Sequence, residues 1–276
     1  VLIRDVTLRD GLQNQAVTLP TDRKIALYDA LLEAGVTALQ VTSFVSPKRL
    51  PQLADAASLW AGLTDRAGTR DALVANLKGY ERAVEAGVGR LELVLALSAT
   101  YHLKNSGRTR EQTLSEYLEL LGRASDDGVH VGIGLANVWH CNYEGQMPPE
   151  RALEWGERFY RMGVRDIGLA DTTGGARTDD VRDLVGRARQ AWPDAFLRVH
   201  LHDSGRGIDN ARAALDAGAD ALDATLGGVG GSPFAGGVGG NLDLLEVVAN
   251  GLADLDRQAL ARLWRTLSGW LDDGAG

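Results

Sequence analysis

"LLEAGVTALQVTSF", residues 31–44, passes from one periodicity to another across a single glycine. Before it, Ile25, Tyr28, Leu31 and Leu32 recur at helical spacing, with Thr21 placed to cap the helix. After it, residues 38–44 form a short apolar and β-branched run of strand length. Gly35 sits where a helix most readily ends, because glycine accepts the left-handed conformation at the C′ position. The phrase recurs along the chain. "EAGV" stands again at 85–88, "DDGV" at 126–129, "RMGV" at 161–164 and "DAGA" at 216–219. Helix, glycine and strand are being punctuated at intervals, which is the mark of a repeated unit.

Strands are therefore expected at 2–8, 38–44, 71–76, 91–97, 129–136, 165–170, 196–202 and 220–226, with helical stretches between them. Strands alternating with helices give a parallel sheet, and eight is the number that closes a (β/α)8 TIM barrel. No Pro/Ser-rich linker divides the 276 residues, so the reading is one α/β domain over 1–276.

Composition narrows the function. Hydrophobic residues make up 45% and charged residues 24%, which is ordinary for a globular chain. A net charge of −8 argues against a nucleic-acid partner, which would want a basic stripe. The apolar runs, such as 93–97, are too short to cross a membrane. The first residues read as a strand without a basic-then-apolar leader, and Cys141 is the only cysteine, so a reducing cytoplasm is the expected location.

On this fold the chemistry sits in the loops after the strands. The polar segments there are "RDGLQN" (9–14), "SFVSPK" (43–48), "NLKG" (76–79), "NVWHCNYEG" (137–145), "DTTG" (171–174), "HLHDS" (200–204) and the glycine-rich 227–241. His200 and His202, two apart on a strand, point to one face and are either ligands of a divalent metal or a hydrogen-bonded structural pair. Arg9 and Asp10 offer a fixed positive charge and a hard oxygen ligand, or an ordinary ion pair. Neighbours on a straight strand face opposite ways, so the chain has to turn before both can reach one site, and Gly11 eases such a turn. Asp171 orients a rim group or caps the next helix, and Asn241 is a metal ligand or a turn residue.

Taken together, "RDGLQN", "TSFVSPK", "NLKG", "YEG", "DTTG", "HLHD" and the glycine frame ending in Asn241 resemble the 3-hydroxy-3-methylglutaryl-CoA lyase family, in order and over nearly the whole chain. The resemblance implies a carbon–carbon lyase with Mg2+ or Mn2+ held by Asp10, His200, His202 and Asn241, and Arg9 stabilising the enolate of a departing acetyl thioester. Its substrate is an acyl-CoA, cleaved in the family to acetyl-CoA and acetoacetate, and its assembly a homo-oligomer, expected to be a dimer. Gln13, Thr42 and Ser43 lie in two of the matching motifs and are expected to bind substrate. Asp171, His200, Gln40 and Ser232 complete the expected catalytic set, with 227–241 as a mobile lid. Two positions depart from the family pattern. Gln40 stands where it has a glutamate, and Ser232 where it has a cysteine; "EGQ" also replaces "EGK". An amide cannot act as a carboxylate base, and a hydroxyl is a far weaker acid than a thiol. His140, Cys141 or Tyr143 could then supply the missing acid. A Claisen- or aldol-type condensing enzyme and a catalytically impaired metal-binding barrel are the alternative readings.

Overall fold

The computed structural model describes residues 1–231 and 239–272. Eight parallel strands close into one barrel: β1 (Leu2–Asp5), β2 (Ala38–Ser43), β3 (Thr69–Leu73), β4 (Arg90–Ala96), β5 (His130–Ala136), β6 (Asp166–Ala170), β7 (Phe196–His200) and β8 (Ala221–Ala224). Each strand neighbours the next in sequence, and β8 pairs with β1 to close the ring. No described helix is long and apolar enough to cross a membrane.

The glycines that end the repeats do what their position requires. Gly35, Gly87, Gly128, Gly163 and Gly218 all have φ between 68° and 104°, the left-handed region that ends a helix. The first helix, α1 (Thr21–Glu33), corrects one detail. Thr21 is its first helical residue rather than its cap; Pro20 takes the cap position with extended backbone, and the Thr21 hydroxyl donates to Asp55 Oδ2 at 2.7 Å.

Several strands stop short of expectation at the rim: β1, β3, β7 and β8 by two residues or more, and β2 and β4 by one. β1 ends at Asp5, and residues Thr7–Gly11 wind into a π-helical turn. That turn resolves how Arg9 and Asp10 can serve one site, since wide single turns of this kind recur at functional sites. Gly11 is needed for space rather than for an unusual φ: a Cβ there would lie 2.8 Å from Val229 Cγ2. β7 ends at His200, and His202 instead bridges to Asn241.

The outer faces of the strands carry the apolar core between sheet and helices. The inner face is unusual. Barrels of this type are commonly filled by layers of branched aliphatic side chains, whereas here an ion-pair network occupies the interior. Arg4 donates to Asp223 through Nε (2.9 Å) and Nη2 (2.6 Å), and to Glu92 Oε2 at 2.6 Å; its Nη1 lies 3.3 Å from Asp71. Arg198 donates to Asp166 Oδ1 at 2.7 Å and Glu92 Oε1 at 3.2 Å. Strand register sets these meetings, because Arg4 is paired with Asp223 and Gly168 with Arg198. Glycine makes the room: a Cβ on Gly134 would fall 2.7 Å from Glu92 Oε1.

Candidate active site

The end of β7, the π-helical turn after β1 and the far stem of the glycine-rich segment converge at one end of the barrel. His200 ends β7, His202 follows it, and Asp10 arrives from the π-helical turn; their ligand atoms all lie within 4.8 Å of one another. Asn241 reaches Asp10 from the far stem of the glycine-rich segment, donating from Nδ2 to Asp10 Oδ2 at 2.6 Å. Gly230, on the near stem, has φ 100°, and a Cβ there would lie 2.6 Å from Asn241 Nδ2 and 2.7 Å from the Asp10 carbonyl oxygen. Close approach to the ligands is one reason this segment carries glycine.

Three features show that these residues suit a cation. His200 Nδ1 lies 3.2 Å from Asp223 Oδ2 and His202 Nδ1 2.9 Å from the Thr172 carbonyl, both acceptors. With Nδ1 of each ring turned to an acceptor, the two Nε2 atoms face each other at 3.3 Å. In neutral rings both Nε2 lone pairs then point at one place, which is the arrangement that ligation of a cation requires. Second, the Asn241 nitrogen is spent on Asp10 and on the Val229 carbonyl, leaving its buried Oδ1 without a partner among the described residues. Third, the donor set of two oxygens and two imidazoles matches Mg2+ or Mn2+ better than a soft metal.

The electrostatics agree. Burial, with His200 nearby, pushes His202 down to about 4, which keeps its ring neutral. Burial would raise the Asp10 carboxyl, but the Arg9 guanidinium above all, the imidazoles in their protonated form and the Asn241 bond outweigh it and hold Asp10 below the usual range. Arg9 Nη1 donates to Asp10 Oδ1 at 2.5 Å, and Gln13 donates to the same oxygen at 2.6 Å. The other arm of Arg9, Nε, donates to Gln40 Oε1.

A cavity of about 120 Å3 opens beside this cluster. Arg9, Asp10, His200 and His202 border it, Glu92 and Arg198 lie deeper in the barrel, and Gly134 and Gly168 leave the wall open. A larger hollow of about 330 Å3, lined by Trp139, Met147 and Asp180, shares no residue with it.

The remaining expected site residues divide. Thr42 and Ser43 end β2 with buried hydroxyls that have no hydrogen-bond partner among the described residues. Asp171 spends both carboxylate oxygens on the Gly175 and Ala176 amides, at 3.0 and 3.1 Å, and burial lifts it to about 6. His140 Nδ1 lies 2.9 Å from the Thr173 hydroxyl, Cys141 is buried, and Tyr143 is on the surface beneath Lys104; none of the three borders the cavity, and neither do Thr42, Ser43 and Asp171. Ser232 lies outside the described residues. No motif marks the supporting shell, chiefly Asp223 behind His200 and the Thr172 carbonyl behind His202. One signal was available: Arg198, His200 and His202 share a parity, so a polar face runs along the end of β7 and past it.

Comparison with known proteins agrees with the site. Residues 1–262 match the HMGL-like family. Mitochondrial hydroxymethylglutaryl-CoA lyase of Macaca fascicularis is 37% identical over 250 residues, covering 90% of this chain and 77% of that protein. An HMG-CoA lyase from Acinetobacter baumannii, solved with coenzyme A and 3-methylmalate, superposes with a TM-score of 0.91 at 34% identity, over 98% of this chain and 91% of that one. The HMG-CoA lyase of Brucella melitensis gives 0.91 at 32% identity, over 99% of both chains. The barrel, the cation-ready cluster and these likenesses converge: the chain belongs to the HMGL-like family and is a divalent-metal-dependent carbon–carbon lyase that resembles hydroxymethylglutaryl-CoA lyase.

Proposed function

We propose that this chain cleaves 3-hydroxy-3-methylglutaryl-CoA, or a closely related 3-hydroxyacyl-CoA, releasing acetyl-CoA and a keto acid, which is acetoacetate for the parent substrate. The observation that carries the reading is the Arg9–Asp10 pair set against two facing imidazole Nε2 atoms and the orphaned Asn241 oxygen. The Acinetobacter neighbour, with its bound coenzyme A and hydroxy-acid, supports the same substrate chemistry here.

Asp10, His200, His202 and Asn241 would hold the ion, Mg2+ or Mn2+. Bound there, it supplies Lewis acidity that makes a substrate hydroxyl easier to deprotonate. With Nε engaged by Gln40 and Nη1 by Asp10, the Nη2 corner of Arg9 remains to donate to the thioester oxygen as it gains enolate charge. Thr42 and Ser43 offer unpartnered hydroxyls to the substrate, and Gln13 keeps Asp10 in register from the side. Asp171, lifted by burial to about 6, and Ser232 are the groups we assign to proton handling. The same reading carries a cytoplasmic homodimer, which light scattering and cell fractionation check.

Purified protein is incubated with 3-hydroxy-3-methylglutaryl-CoA and Mn2+, and the products are followed by mass spectrometry. Acetyl-CoA and acetoacetate should form, chelation with EDTA should stop them, and Arg9→Met should lower kcat about 10²–10³-fold. Protein that binds Mn2+ yet releases neither product would refute the substrate assignment.

A further inference from the structure

We propose that Gln40 is a positioning residue: its side-chain amide holds the Arg9 guanidinium at the site, and Asp71 and Glu92 hold the amide. Gln40 lies in the middle of β2 and is fully buried. Its Oε1 accepts from Arg9 Nε, while its Nε2 donates to Asp71 Oδ1 at 2.6 Å and to Glu92 Oε2. The carbonyl and both N–H groups are thus all in use.

The orientation of that amide has no alternative. A guanidinium only donates and a carboxylate only accepts. Turning the amide over would set N–H against N–H on one side and oxygen against oxygen on the other. Register supplies the partner, since Gln40 is paired with Asp71 across β2 and β3. Arg9 is consequently held at two corners, by Gln40 through Nε and by Asp10 through Nη1. An oxyanion-stabilising donor is effective only when it is fixed beforehand, so the amide acts on the reaction through Arg9.

Family resemblance alone reads Gln40 as a carboxylate lost. The surroundings give it the opposite sense. Facing position 40 are Arg9 from the π-helical turn, Asp71 from β3 and Glu92 from β4, with Arg4 from β1 bonded to both acids. Two carboxylates already stand there. A glutamate would bring a third into contact with them and would remove the two N–H groups they take from Gln40, leaving Asp71 to Arg4 and Glu92 to Arg4 and Arg198. In this barrel a neutral amide at position 40 is what the neighbouring acids require.

The test uses the full chain loaded with Mn2+ and 3-hydroxy-3-methylglutaryl-CoA, so its kinetic arm rests on the lyase reading. Gln40→Glu and Gln40→Met should each lower kcat by roughly 10²-fold with KM little changed, the scale of a misplaced catalytic group. Asp71→Asn should cost less. The double variant Gln40→Glu/Asp71→Asn restores an amide–carboxylate pair in the reverse sense and should recover part of the loss and outpace Gln40→Met, because the new carboxylate accepts from both Arg9 and the introduced amide and faces only Glu92 as a like charge. Gln40→Glu as fast as the unaltered protein, or a double variant no faster than Gln40→Met, would overturn the proposal. If Gln40→Glu fails to fold, the charge-conserving double variant and Gln40→Met still decide it.

A second readout does not depend on turnover. The Arg9 Nε–H resonance, assigned by its loss in Arg9→Lys, should be protected from solvent exchange in the unaltered protein and in the double variant, and unprotected in Gln40→Met. Protection that persists in Gln40→Met would sink the positioning role. Absence of cleavage by the unaltered protein would defeat the substrate assignment and leave this resonance to judge Gln40.

Discussion

Asp5 offers the cleanest electrostatic test of the fold. It ends β1, has no solvent exposure, and takes two hydrogen bonds from Thr7, from the backbone N–H to Oδ1 (2.9 Å) and from the hydroxyl to Oδ2 (2.8 Å). Burial pushes its carboxyl up to about 7, with Asp223 adding to the rise and the Thr7 bonds opposing it. An unfolded aspartate titrates near ~3.9. Below that value both states hold the proton. Between it and about 7 only the folded state does, so the stability this group contributes is lost as pH rises through the folded value. From about pH 5 to pH 8 the loss amounts to about 2.5 kcal/mol, since each pKa unit is worth about 1.36 kcal/mol. Asp5→Asn copies the protonated form: its Oδ1 still accepts from Thr7, and its Nδ2 can donate to the Thr7 hydroxyl, which already accepts from the Leu226 N–H at 2.8 Å. Urea unfolding of both proteins across this range should show the unaltered chain losing about 2.5 kcal/mol relative to the variant. A stability difference that stays constant with pH would refute the reasoning, because Asp5 would then titrate alike in both states.

Three further outcomes follow from contacts described above. Mn2+ at a hundredfold excess over its Kd should stabilise the protein by about 2.7 kcal/mol, and Asp10→Asn should abolish that gain in thermal melts because it removes the anionic ligand. Arg4→Met strips the cation from between Asp223, Glu92 and Asp71 and should cost about 3–5 kcal/mol in urea unfolding, the usual penalty for stranding buried charge. Gly156→Ala would set a methyl group 2.1 Å from the buried Trp192 ring and should lower stability by about 1–3 kcal/mol, read as a reduced Tm.

The barrel was legible because its punctuation is local. A helix that must stop at a left-handed residue writes glycine at Gly35, Gly87, Gly128, Gly163 and Gly218, and each precedes a strand that the structure contains. The metal-ligand candidates were legible for a related reason: Asp10, His200, His202 and Asn241 sit in short motifs at strand ends, and the structure gathers all four. Strand ends at the rim were not legible, since the π-helical turn at Thr7–Gly11 leaves no periodic trace in five residues. The interior network was hidden for a different reason. Arg4 and Asp223 are separated by 219 positions, and only the closure of the ring through the β1–β8 register brings them together. The reason for Gln40 was hidden with it, because Asp71 and Glu92 carry no motif of their own.

That network has a consequence for how the chain can be divided. Its members are split between the first four strands (Arg4, Asp71, Glu92) and the last three (Asp166, Arg198, Asp223). A half-barrel made of β1–β4 alone would keep Arg4 while losing its two-pronged partner Asp223, and Glu92 would lose Arg198. Neither half could dry its inner surface without stranding charge, so each would stay open and hydrated until the other arrived. Ring closure and exclusion of water from the interior are then a single event. Separately expressed halves should assemble only as a complementing pair, more weakly as salt screens the charges that guide them together.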